Sequence, residues 1–99
     1  MKKTLKNKLK QGWFIDFFIF DQVKKQCEVV SFSKWSDGYQ MKYFEEGFLK
    51  LKLTNENKVK IFENLEKIIE NTFFNKEVFT LDRFKENKEA KSISIDFIK

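Results

Sequence analysis

Residues 48–69 read FLKLKLTNENKVKIFENLEKII, and within this stretch the apolar period lengthens from two to about 3.6 residues. Leu49, Leu51 and Leu53 alternate with Lys50 and Lys52, the pattern of a half-buried strand with its leucines on one face. Val59, Phe62, Leu65, Ile69 and Phe73 then line one face of a helix over about residues 56–74, with Ile61 and Ile68 at its margin. Thr54 or Asn55 is placed to cap the helix, and Glu56 with Lys60 and Glu63 with Lys67 are favourable i,i+4 pairs on its outer side.

Upstream of this switch the chain reads as strands. Trp13 to Phe20 is apolar on both alternate faces, which suits a strand buried on both sides or one that contacts a partner. Cys27 to Trp35 carries β-branched and aromatic residues up to the turn Ser36-Asp37-Gly38, and Tyr39 to Glu45 resumes the extended pattern until Glu46-Gly47. Four consecutive strands with short turns predict an antiparallel meander. Downstream, Val78 to Phe84 fits a strand or, with Thr80 as cap, a short helix running through Lys85 to Lys91. Ile93, Ile95 and Phe97 alternate with Ser94 and Asp96, so a final strand is expected to join the sheet or cover its edge. Thr4 to Gln11 reads as a partly docked helix with Leu5 and Leu9 on one side. The expected class is therefore α+β: a four- to five-stranded antiparallel meander on one long amphipathic helix, with a short N-terminal helix, in a single domain over residues 1–99.

Composition narrows the function. Hydrophobic residues make up 41% of the 99 residues and 13 are Phe, ample for a core despite 35% charged residues. Cys27 is the only cysteine, so no internal disulfide forms, and its apolar surroundings predict a buried filler in a reducing, cytoplasmic setting. The apolar stretch after the lysine-rich start contains Asp16, is too short for a membrane span and lacks the form of a signal peptide. The net charge of +5 points toward phosphate. However, Arg83 is the only arginine among 20 basic residues, a bias that an AT-rich gene also produces.

Without histidine, the usual base near neutral pH is missing, and one cysteine cannot build a thiolate zinc site. The three glycines do not have phosphate-loop spacing. No cofactor and no catalytic residue is expected, and the carboxylates Asp16, Asp21, Glu45 and Glu46 read as solvated turn and edge residues. The candidate binding residues surround the Ser36-Asp37-Gly38 turn: Trp35, Tyr39 and Tyr43 as aromatic anchors, with Lys34, Asp37, Lys42, Glu45 and Glu46 as a mixed polar rim.

The order of four strands, Trp13 to Leu53, and then one helix, Glu56 to Phe74, resembles the ββββα plan of the Whirly and PUR-type single-stranded nucleic-acid-binding domains. Where PUR repeats carry an Arg-bearing turn, this chain has Ser36-Asp37-Gly38. In its small size and cofactor-free composition the chain is also similar to bacterial toxin-immunity proteins, including those of contact-dependent inhibition. That resemblance implies a cytoplasmic, non-catalytic inhibitor that covers a toxin's active or substrate-binding surface, a plan shared with phage antidefence inhibitors. The expected partner is thus a protein, with single-stranded nucleic acid as the alternative and a monomer or homodimer as the state. A continuous lysine-lined sheet face favours nucleic acid, whereas an apolar face of mixed sign favours protein.

Overall fold

A computed structural model describes residues 2–54, 58–74 and 84–98. In chain order the elements are α1 (Lys2–Lys10), β1 (Phe14–Asp21), β2 (Gln26–Trp35), β3 (Gly38–Glu45), β4 (Phe48–Leu53), α2 (Lys58–Phe74), β5 (Phe84–Asn87) and β6 (Ser92–Ile98). The six strands form one sheet in the order β4-β3-β2-β1-β6-β5. The first four strands make the expected antiparallel meander. The sheet as a whole is mixed rather than antiparallel, because β6 pairs with β1 in parallel, Ile15 opposite Ile93 and Phe17 opposite Ile95. Where one long helix over about residues 56–74 was expected, the chain has the 17-residue α2, and where a short N-terminal helix was expected, it has the 9-residue α1.

Both helices contribute to one core with the strands. Leu5 and Leu9 of α1 are fully buried, as are Ile61 and Leu65 of α2, and they cluster with Ile15, Phe17, Phe32 and Ile95 from the sheet. Phe17 meets Phe32 edge-on at 6.0 Å, and Tyr39 meets Phe62 at 4.9 Å. The buried row of α2 is Ile61, Leu65 and Ile69, while Val59 is exposed. The apolar face therefore lies to one side of the expected Val59-Phe62 line, because a helix that also borders α1 buries the residues turned toward both.

Local chemistry explains the helix end at Gly12. The Trp13 amide donates to the Lys8 carbonyl and the Gly12 amide to the Leu9 carbonyl, a Schellman closure with Gly12 at φ +92°. Trp13 then lies under the Lys8 ammonium, 4.1 Å from its ring centre. Three ties fix α1: Lys6 pairs with Glu66 of α2, Lys8 with Glu86 of β5 at 3.2 Å, and Lys34 of β2 donates to the Lys10 carbonyl at 2.8 Å.

Glu46 and Gly47 both have positive φ, as a two-residue hairpin twisted to match its strands requires. Beyond it, a bulge between Tyr43 and Phe44 shifts the register of β3 against β4. Leu51 pairs with Tyr43 but Leu49 pairs with Phe44, so the three leucines do not share a face, contrary to their alternation in sequence. Leu49 and Leu51 are 52% and 46% exposed.

Three further expectations are corrected. Cys27 is exposed rather than a buried filler, since it lies beside the rim where Glu46 bonds its backbone. Asp21 is buried rather than solvated, because its Oδ1 accepts from the Val23 and Lys24 amides at 3.0 and 3.1 Å and closes the turn after β1. Residues 85–91 are not helical: β5 runs to Asn87 and a turn follows, in which the Asn87 side chain accepts from the Ala90 amide. Asn55, Glu56, the stretch Val78 to Arg83 and its Thr80 cap lie outside the described residues.

Candidate interaction surface

β-Strands present alternate residues to opposite faces, so the pairing register gives the composition of each face. One face carries the core and both described helices. On the other lie Phe14, Asp16, Phe18 and Phe20 of β1, and no described helix covers them. Phe14, Phe18 and Phe20 are 39%, 42% and 37% exposed, while their neighbours Ile15, Phe17 and Ile19 are buried.

Two rows cross this open face. One is apolar: Phe18 pairs with Val29, Val29 with Phe44, and Phe44 with Leu49, with Asp96 on the far side of Phe18. The other is polar and runs Lys52, Lys42, Ser31, Asp16, Ser94, Lys85 across all six strands. At the β2 end of the face, Trp35 meets Phe14 edge-on at 5.9 Å and donates from Nε1 to the Ser33 hydroxyl at 2.8 Å. This leaves the indole face partly open beside a second ring.

Asp16 stands between Phe14 and Phe18. Burial by these surroundings raises its carboxyl above the usual carboxylate value, and a hydrogen bond with the Ser31 side chain partly opposes that rise. A carboxylate held among aromatic rings is a strong determinant of what can settle on the face.

The residues proposed from sequence divide between the two faces. Trp35 and Lys42 lie on the open face, and Asp37 is exposed at the tip of the β2–β3 hairpin. Tyr39 is 9% exposed and belongs to the core, with the Lys34 ammonium 5.8 Å from its ring. Tyr43 and Glu45 also face the helix side, where the Tyr43 hydroxyl donates to Glu45 Oε1 at 2.8 Å. Burial first, and then the Glu45 hydrogen bond and the Glu28 charge, hold the Tyr43 phenol above its ordinary value, so it stays protonated near neutrality. It borders an opening of about 270 Å³ shared with Glu28, Met41, Asn64 and Ile68. Glu46 is committed to the hairpin, its carboxylate accepting from the Cys27 amide at 3.1 Å.

The structure therefore adds Phe14, Asp16, Phe18, Phe44 and Leu49 to Trp35 and Lys42. The signal for Phe14 and Phe18 was the doubly apolar reading of β1, whereas Asp16, expected to be solvated, is partly buried between them. Among the described residues no group of three or more His, Cys, Asp or Glu is arranged to hold a metal ion, and no helix is long and apolar enough to cross a membrane. No family model matches this sequence, and neither a curated protein nor a solved structure matches it.

Proposed function

We propose that the chain is a non-catalytic binding protein that docks on another protein through the open face of its sheet and silences that partner by covering its active or substrate-binding surface. The observation that carries this reading is the mixed character of the face: exposed Phe14, Phe18 and Trp35 interleave with Asp16, Asp96, Lys42 and Lys52. Aromatic anchors within a polar pattern of both signs suit a protein surface. A single-stranded nucleic acid would meet Asp16 in the middle of its path, where phosphate is repelled. A toxin or other effector in the same cytoplasm is the partner this plan requires, as in immunity and antidefence inhibitors.

The test is capture from the native host with wild-type protein and with Phe18→Asp, followed by assay of the captured partner. Loss of that partner's activity at one equivalent of wild type, with none lost to Phe18→Asp, supports the proposal. Equal inhibition by both proteins refutes the assigned face. Retention of a single-stranded oligonucleotide in place of a protein, weakening steeply with salt, transfers the face to nucleic acid.

A further inference from the structure

The polar row has a symmetry of its own. Asp16 and Lys42 are each one strand away from Ser31, on opposite sides of it, and Phe18 and Phe44 flank Val29 in the same way. A two-fold axis lying along β2 just above the open face exchanges the two sides. It sets Asp16 of one copy over Lys42 of another, twice, and Phe18 over Phe44, twice, with Val29 and Ser31 on the axis. We infer that, when no target is present, two copies of this chain close face to face about this axis into a homodimer.

Sheets that pack face to face lie about 10 Å apart, a gap that an aspartate and an extended lysine together span. Twisted sheets pack about 30° from parallel, so rows diverge with distance from the axis. The matched pairs sit one strand away, about 4.8 Å, where that divergence is small. About an axis on β2 the overlapping strands run from β4 to β6, about 19 Å across and about 23 Å along seven residues, a footprint of about 440 Å² that is roughly half the ~800 Å² each partner commits to a stable interface and suits a weak dimer that a target displaces. Isologous contact demands a self-complementary patch, and this face meets that demand at the strands beside the axis, Asp16 against Lys42 and Phe18 against Phe44, while one strand further out Asp96 falls over Leu49. The inference rests on the reading of the face as a protein interface and adds its resting occupant: a second copy, displaced when the target binds.

Sedimentation equilibrium over a concentration series tests it, with Asp16→Lys, Lys42→Asp and the double variant Asp16→Lys/Lys42→Asp. Wild type is expected to associate to twice the chain mass. Each single reversal sets like charges opposite each other twice per dimer and weakens association about 100-fold, and the double variant restores it to within about 5-fold. Circular dichroism checks that every variant is folded. Wild type that stays monomeric at all concentrations overturns the dimer, as does a dimer indifferent to the single reversals or a double variant that does not recover. The parent reading is scored separately by target capture. The double variant regains the dimer but presents inverted charges to the target, so it is expected to lose capture. A protein that dimerises as described yet retains only oligonucleotide leaves the dimer standing and removes the protein-target proposal.

Discussion

Phe17 and Phe18 are adjacent in β1 and identical in chemistry, yet one is fully buried and the other 42% exposed. Phe17→Ala removes a ring that packs edge-on against Phe32 at 6.0 Å and leaves a cavity in the core. Deletions of this kind cost about 3–5 kcal/mol. Full burial of a Phe side chain is worth about 1.5–3 kcal/mol, and Phe18 realises little more than half of that, so Phe18→Ala is expected to cost about 1–2 kcal/mol. A small domain has roughly 5–15 kcal/mol of total stability, so Phe17→Ala lies near the limit of folding and Phe17→Leu provides a milder second variant. Urea unfolding followed by circular dichroism, in dilute solution, measures each midpoint, and the shift multiplied by the common slope gives the loss. Equal costs for Phe18→Ala and Phe17→Ala would make the open face a second core and overturn its assignment as a free surface.

Leu5→Ala is expected to cost about 2–5 kcal/mol, because Leu5 is fully buried and α1 belongs to the core; a loss below about 1 kcal/mol in the same urea assay would mean that α1 docks only loosely. Gly12→Ala has open space for the new methyl group, so only the left-handed backbone at φ +92° opposes it; the expected cost is about 1–2 kcal/mol, and an unchanged midpoint argues against the Schellman end. Asp16 has a folded-state pKa above its unfolded one, so within that window the folded chain binds more protons and stability falls as pH rises from 3.8. Its row places Lys42 and Lys85 to either side beyond Ser31 and Ser94, with Asp96 one row away. Asp16→Asn should remove this slope and match or exceed wild-type stability at neutral pH in unfolding of the dilute protein; identical pH profiles for the two would contradict the assignment.

The four-strand meander, α1 and the existence of α2 were legible because each rests on local periodicity and turn residues. Gly12, Gly38 and Glu46-Gly47 all fall where the chain reverses or a helix ends. The parallel seat of β6 beside β1 was not legible, since alternation of Ile93 and Ile95 tells which face is buried and nothing about strand direction. The β3–β4 bulge was hidden for a related reason: one extra residue in a ladder reverses the faces beyond it without altering the sequence pattern. The turn around Trp35 drew together residues that pleating then separates, Trp35 to the open face and Tyr39 to the core. For β1, apolar residues on both faces were consistent with a doubly covered strand, and only the placement of both helices on one side distinguishes core from surface.

A partner protein that settles on the helix-free face must shield its aromatic side chains from solvent. Hydroxyl-radical footprinting of the free chain, dilute enough to be monomeric, and of the chain saturated with its captured partner measures this side chain by side chain. Oxidation of Phe14, Phe18 and Trp35 is expected to fall on binding, while Val23 and Val59, 91% and 71% exposed and off that face, remain unchanged. Protection of Val59 with Phe18 and Trp35 still oxidised at their free rate would place the partner elsewhere on the molecule.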